Sequence, residues 1–181
     1  MTRNFQRIEF ERAGFPKDAT IKEEFMLSLL VRSLQVIRDE IGVPITITNC
    51  YRTEENHRDL LNRGYYPSET SDHFFGQRLP VHRPDKIKKY GKYFDLSVGA
   101  TDFVCANITY NFSKIVHLAV SGQIRVGQLI LETGNGKTWI HISNDPELVY
   151  GQALSRRIPS REKFLYSLDG GASYIPYQVK G

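Results

Sequence analysis

The chain is poor in the residues that build sulfur-based sites: it has two cysteines, Cys50 and Cys105, in 181 residues. Both lie in apolar surroundings without Cys-x-x-Cys spacing, which excludes a zinc finger and predicts buried free thiols rather than a disulfide. No stretch approaches the roughly 18 apolar residues of a membrane span. The opening MTRNFQRIEFERAG lacks the apolar run of a signal peptide, so the sequence predicts synthesis in a cytoplasm and no membrane partner. Internal repeats and low-complexity segments are also missing. Histidine is scarce at five residues, and tryptophan occurs once, at Trp139.

What is present is ordinary for a folded domain. Apolar residues make up 40% and charged residues 24% of the chain, which excludes wholesale disorder. The length suits one compact unit; the reading assigns residues 1–150 to the main domain and 151–181 to a C-terminal extension packed on it. The net charge of +4 suits an anionic partner. Lys and Arg are dispersed, and the densest run, RPDKIKKYGK (83–92), is either a phosphate-binding patch or a solvated loop. With no zinc-finger spacing and no aromatic-basic RNA motif, nucleic acid is not the expected partner.

Residues 20–41 carry apolar side chains at Ile21, Phe25, Leu29, Leu30, Leu34, Ile37 and Ile41, a helical stripe with Asp18 or Thr20 as N-cap and Gly42 as the stop. PITITNCY reads as a strand, and the segment after Thr53 as a short helix closed by Gly64. Arg52 then stands at a strand-to-helix junction. YFDLSV (93–98) reads as a further strand, and much of 102–121 as a helix with Phe103, Ile108, Phe112, Ile115, Val116 and Val120 inward. QLILE and TWIHIS read as strands joined through TGNGK, and KFLYSLDGGASYIPY as a second hairpin. The order predicts an α+β fold, helices on a mostly antiparallel sheet.

A catalytic zinc site takes three ligands from His, Asp or Glu and leaves the fourth position for water. His73 in SDHFFGQ, Asp95 in YFDLSV and His141 in TWIHIS each lie in or beside an apolar strand-like segment, where a polar side chain needs a partner. Singly, a strand histidine reads as a hydrogen-bonded structural residue and a strand aspartate as a turn cap. His57 and His82 read as solvated, and His117 as structural. Asp85 competes with Asp95 as a ligand but stands in polar RPDKIKK. Asp72, next to His73, turns to the opposite face if that segment is extended.

SDHFFGQ followed by FDL resembles the S-x-H-x-x-G-x-A-x-D signature of the zinc D-alanyl-D-alanine carboxypeptidase family. TWIHIS resembles that family's closing W-x-H strand, and PITITNCYRT its ITSGYRS strand and turn, in the right order over residues 20–145. The resemblance implies a hedgehog/DD-peptidase-like fold with a Zn2+ cofactor held by His73, Asp95 and His141. It implies Glu132 as the catalytic carboxylate, and Arg52 and Ser71 at the substrate, with Gly76 as the signature glycine. Residues 78–93 stand as an insertion relative to the family pattern, so Asp95 is assigned through its FDLSV context. The Glu132-to-His141 spacing exceeds E-x-x-H, and pairing of the two strands through TGNGK would absorb the excess.

The expected activity is hydrolysis of peptide bonds in peptidoglycan stem peptides, as carboxypeptidase or endopeptidase. The expected setting is a phage lytic enzyme or virion-borne wall-degrading protein that ends at the cell wall or in the virion. The alternative is a non-catalytic phage structural module that keeps the fold and contacts other virion proteins.

Overall fold

A computed structural model describes residues 2–64, 71–76, 97–155 and 163–178. Helix α1 (Arg7–Arg12) precedes the long helix α2 (Ile21–Ile41). Of the two candidate caps, Thr20 does the work: its side chain accepts from the backbone N–H of Glu23, and the Glu23 carboxylate accepts from Thr20 N at 2.7 Å. Gly42, at φ 68°, ends the helix in the left-handed region that only glycine enters cheaply.

The buried stripe of α2 is Met26, Leu27, Leu30, Val31, Leu34, Ile37 and Ile41. Ile21 is 91% and Phe25 46% exposed, so the predicted stripe is right in its second half and rotated in its first turn. The first turn instead turns Glu23 inward, where it accepts from the Tyr51 hydroxyl at 2.6 Å.

The remaining elements are strand β1 (Ile45–Asn49), α3 (Glu54–Asn62), a 3-10 turn (Asp72–Phe74), β2 (Ala100–Cys105), α4 (Ile108–Val120), the hairpin β3 (Val126–Gly134) and β4 (Lys137–Asn144), α5 (Pro146–Ser155), β5 (Phe164–Ser167) and β6 (Ile175–Pro176). They build an α+β fold around a six-stranded sheet of order β1-β2-β4-β3-β5-β6, antiparallel at every junction except the parallel β3–β5 pair. The hairpin turns on Asn135 and Gly136, at φ 52° and 72°, the two positive values that a two-residue primed turn demands. The tail hairpin also forms as predicted, and through β5 it belongs to the same sheet.

Alternation divides the sheet into two faces. Phe103, Leu129, Ile140 and Ile142 are fully buried and meet the apolar stripes of α2 and the Phe112, Ile115 and Val116 side of α4. The opposite face carries Asp102, His141 and Ile130 on one rung and Glu132 with Trp139 on the next.

The sequence reading is corrected in four places. Residues 100–105 are a strand, so Phe103 belongs to β2, and the helix begins only after Asn107. ATDFVC alternates with period two, and that pattern governs here over the i, i+3 coincidence of Phe103 with the helix that follows. Val120 is 54% exposed at the helix end. His73 lies on the 3-10 turn rather than on a strand. His57 is buried against the Phe74 ring, with centroids 5.8 Å apart, because the inner side of α3 faces that turn. The other histidine on a helix, His117, is exposed. Cys50 and Cys105 are free thiols; Cys50 is buried as expected, whereas Cys105 is only half-buried. No described helix is long and apolar enough to cross a membrane.

Candidate metal centre

The site sits where β1 ends. Cys50 is followed by Tyr51, Arg52 and the α3 cap Thr53, whose side chain accepts from Asn56 N. Across this corner lies the SDHF turn. Ser71 caps it by accepting from His73 N at 3.4 Å, and Arg52 N donates to His73 O at 3.0 Å. Gly76 closes the segment at φ 77°, its N–H donating to Ser97 Oγ at 2.5 Å. A Cβ there would lie 2.7 Å from Lys22 Nζ. The turn is therefore strapped to the end of β1, and His73 is held over the sheet with 1% exposure.

Strand register brings the other partners. Asn49, Asp102 and His141 stand opposite one another on β1, β2 and β4, and Ile130 of β3 continues the same rung. His73 Nε2 lies 3.1 Å from Asp102 Oδ1 and 3.2 Å from His141 Nδ1, and His141 Nδ1 lies 3.0 Å from Asp102 Oδ1. Three ligand atoms thus converge on one point.

The donor chemistry fits a cation. His73 Nδ1 contacts the Cys50 carbonyl at 2.9 Å; a carbonyl only accepts, so the ring proton sits on Nδ1 and the lone pair on Nε2 faces the cluster. Asp102 Oδ2 accepts from the Asn49 amide at 3.0 Å, leaving Oδ1 for the cluster. Both ligands are oriented by partners on their outer atoms, as metal ligands characteristically are. Separations of 3.0 to 3.2 Å compare with roughly 3.3 Å between ligands of a tetrahedral ion with ~2.0–2.1 Å bonds. Burial opposes ionisation of Asp102, but the two histidines outweigh it and hold its pKa well below the ordinary carboxylate range. His73, Asp102 and His141 could therefore hold a metal ion.

A cleft of about 560 Å³ opens over this point. Glu132 stands in its wall, two residues along β3 from the partner of His141, so the hairpin register brings together residues nine apart in sequence. Burial, and next the Asp102 carboxylate, push the pKa of Glu132 up to about 7, against the opposing pull of His141, Arg52 and a hydrogen bond from Trp139. Arg52 is buried in the same cleft with its Nε unpartnered. Burial lowers its pKa, and the Asp102 and Glu132 carboxylates resist that. An enclosed guanidinium with an idle N–H is a receptor for an anion.

Of the residues singled out in the sequence, His73, His141, Glu132, Arg52 and Ser71 all line this cleft. Asp72 is buried beside them and accepts from Val98 N at 3.3 Å. Asp95 lies outside the described residues, as do Asp85, His82 and the basic run 83–92; Ser97 and Val98, the described end of the expected strand, are not in a strand. Among the described residues the carboxylate beside the two histidines is Asp102, which the sequence reading does not single out. Its signal was legible: S-x-H-x-x-G is completed by A-x-D at Ala100, Thr101 and Asp102 once residues 77–99 are read as the insertion.

Comparison with protein-family models, with characterised proteins and with solved structures gives no match.

Proposed function

We propose that the chain is a zinc-dependent peptidase of the D-alanyl-D-alanine carboxypeptidase type, acting on stem peptides of bacterial peptidoglycan. The observation that carries the reading is the convergence of His73 Nε2, Asp102 Oδ1 and His141 Nδ1 at the floor of a cleft that also holds Glu132 and Arg52. Two imidazoles and one carboxylate are a usual ligand set for catalytic zinc. The resemblance of SDHFFG, ATD and TWIHIS to that family's signature supports the choice of chemistry.

Zinc held there supplies a Lewis acid that polarises a peptide carbonyl and lowers the pKa of water. The residues of the chain do the rest. Glu132 takes the proton of the attacking water on its carboxylate and returns it to the nitrogen of the leaving amine. Trp139 donates a hydrogen bond to that carboxylate, and both residues line the cleft. Arg52 binds the carboxylate of the substrate and sets the register of the scissile bond. The net charge of +4 favours approach to an anionic wall.

The test is the metal content of the purified protein beside Asp102→Ala and Asp95→Ala variants. The reading expects about one zinc per chain, retained without Asp95 and lost without Asp102. Digestion of muropeptides, abolished by chelator and by Glu132→Gln, follows. A protein that takes up no zinc, or keeps it without Asp102, refutes the site; zinc without turnover of any muropeptide refutes the activity.

A further inference from the structure

The last hairpin does more than extend the sheet. Between β5 and β6 the chain makes a tight turn centred on Asp169. The Asp169 carboxylate accepts from Ser167 Oγ at 2.8 Å, from Ser173 N at 2.9 Å and from Ser173 Oγ at 2.5 Å, and Ser167 Oγ accepts from Gly171 N at 3.0 Å. These bonds hold the Asp169 carboxyl down at about 2, so the clamp stays ionised across the neutral range.

The turn is fastened to the neighbouring strand. Gly170 N donates to Thr133 O at 2.9 Å, and a Cβ on Gly134 would lie 2.8 Å from Gly170 Cα, a contact that only glycine permits. Beyond β6, Tyr177 N donates to Phe164 O at 2.9 Å and the Tyr177 ring packs edge-on against Phe112 at 5.1 Å. The segment between these anchors is fixed at both ends.

Tyr174 is the side chain that this segment delivers to the cleft, where it lines the wall with Arg52, Glu132 and His141. The residue is 42% exposed and stands in the wall of the cleft. Burial, followed by the Glu132 and Asp102 carboxylates, pushes the phenol pKa up, with Arg52 opposing. A phenol, with an ordinary pKa of about 10, is an O–H donor at neutral pH. Among the described residues no hydrogen bond occupies that hydroxyl, and beside it Arg52 Nε is idle as well. Arg52 is taken by the substrate carboxylate, which leaves the Tyr174 hydroxyl as a donor in the cleft that the ligand cluster also lines, suited to an oxygen that gains negative charge.

We infer that Tyr174 is a catalytic residue: its hydroxyl donates a hydrogen bond to the peptide oxygen that gains negative charge when the carbonyl is attacked. The inference rests on the peptidase reading given above. It makes the C-terminal hairpin part of the active site rather than an appendage, because the donor is useful only where the Asp169 turn holds it. The phenol forms and breaks no covalent bond; it stabilises charge that exists in the transition state and not in the bound peptide.

The experiment uses the full zinc-loaded chain and its Tyr174→Phe variant, which keeps the ring and removes the donor. Zinc content and melting temperature should match the parent. On a muropeptide, kcat should fall about 10²-fold with KM within about threefold, the pattern of an interaction made in the transition state. Affinity for a phosphinate dipeptide analogue should fall in parallel, while affinity for the product dipeptide holds. A variant within about twofold of the parent in kcat and in phosphinate affinity overturns the role. A rise in KM alone also overturns it, since that marks ground-state binding, and a drop in melting temperature with unchanged kcat assigns the phenol to structure. If the zinc-loaded parent neither cleaves muropeptides nor binds the phosphinate, the peptidase reading falls and the inference with it.

Discussion

Replacing Glu132 with glutamine removes a charge that the cleft resists. In the folded protein this carboxyl titrates at about 7, raised from an ordinary 4.5 by burial and by Asp102. A raised carboxyl pKa means that the folded state holds its proton more tightly than the unfolded chain. Below about pH 4.5 both states are protonated and the residue costs nothing; between about 4.5 and 7 folding stability is lost as pH rises; above about 7 the loss is complete. A shift of about 2.5 units corresponds to roughly 3 kcal/mol, which partial solvent access reduces to about 1–3 kcal/mol.

The assay is urea unfolding of the chelator-stripped protein and of Glu132→Gln across this range. The stability gained by the variant should be small near about pH 5, grow to about 1–3 kcal/mol by about pH 8, and then level. Zinc added at about pH 8 should shrink the gap, because a cation at Asp102 cancels the second cause of the shift. A difference that stays constant with pH would refute the placement of Glu132 beside Asp102. A gap that zinc leaves untouched would refute the placement of the ion.

Two further outcomes follow from the same geometry. Asn49→Ala removes the amide that orients Asp102 Oδ2 while leaving all three ligands, and should weaken zinc affinity about 10–100-fold in a chelator competition with little change in far-ultraviolet circular dichroism. Glu23→Gln should cost about 1–2 kcal/mol at neutral pH. Burial raises the Glu23 pKa, but the bonds from Tyr51 and Thr20 lower it further, so the contribution is present above the ordinary 4.5 and fades as pH falls through the folded value. Melting curves of variant and parent should therefore converge in acid, and a gap that widens there would contradict the assignment.

The parts of the fold legible in the sequence are those that local chemistry decides. The Asn135-Gly136 turn fixes its hairpin, and through it the approach of Glu132 to His141, because few residues accept two consecutive positive φ angles. Thr20 and Gly42 bracket α2 for equally local reasons. Asp102 was hidden by a competition of scales. The apolar context of FDLSV favours Asp95, and Phe103 fits the helical stripe of the following segment, so local pattern merges β2 into α4. What settles Asp102 is nonlocal: its register opposite His141 and Asn49, which no window of sequence contains. The burial of His57 is nonlocal in the same way, since it depends on Phe74 arriving from another part of the chain.

The hydrogen bond between Gly76 and Ser97 has an engineering consequence. It joins two points of the chain 21 residues apart in sequence, one next to His73, which is anchored by Cys50 and Ser71, and one near Asp102, which is anchored by its strand partners. Gly76 and Ser97 thus staple the turn that carries His73 to the approach of β2, which carries Asp102. Ser97→Ala is therefore a handle on the spacing of the two side chains that touches neither of them.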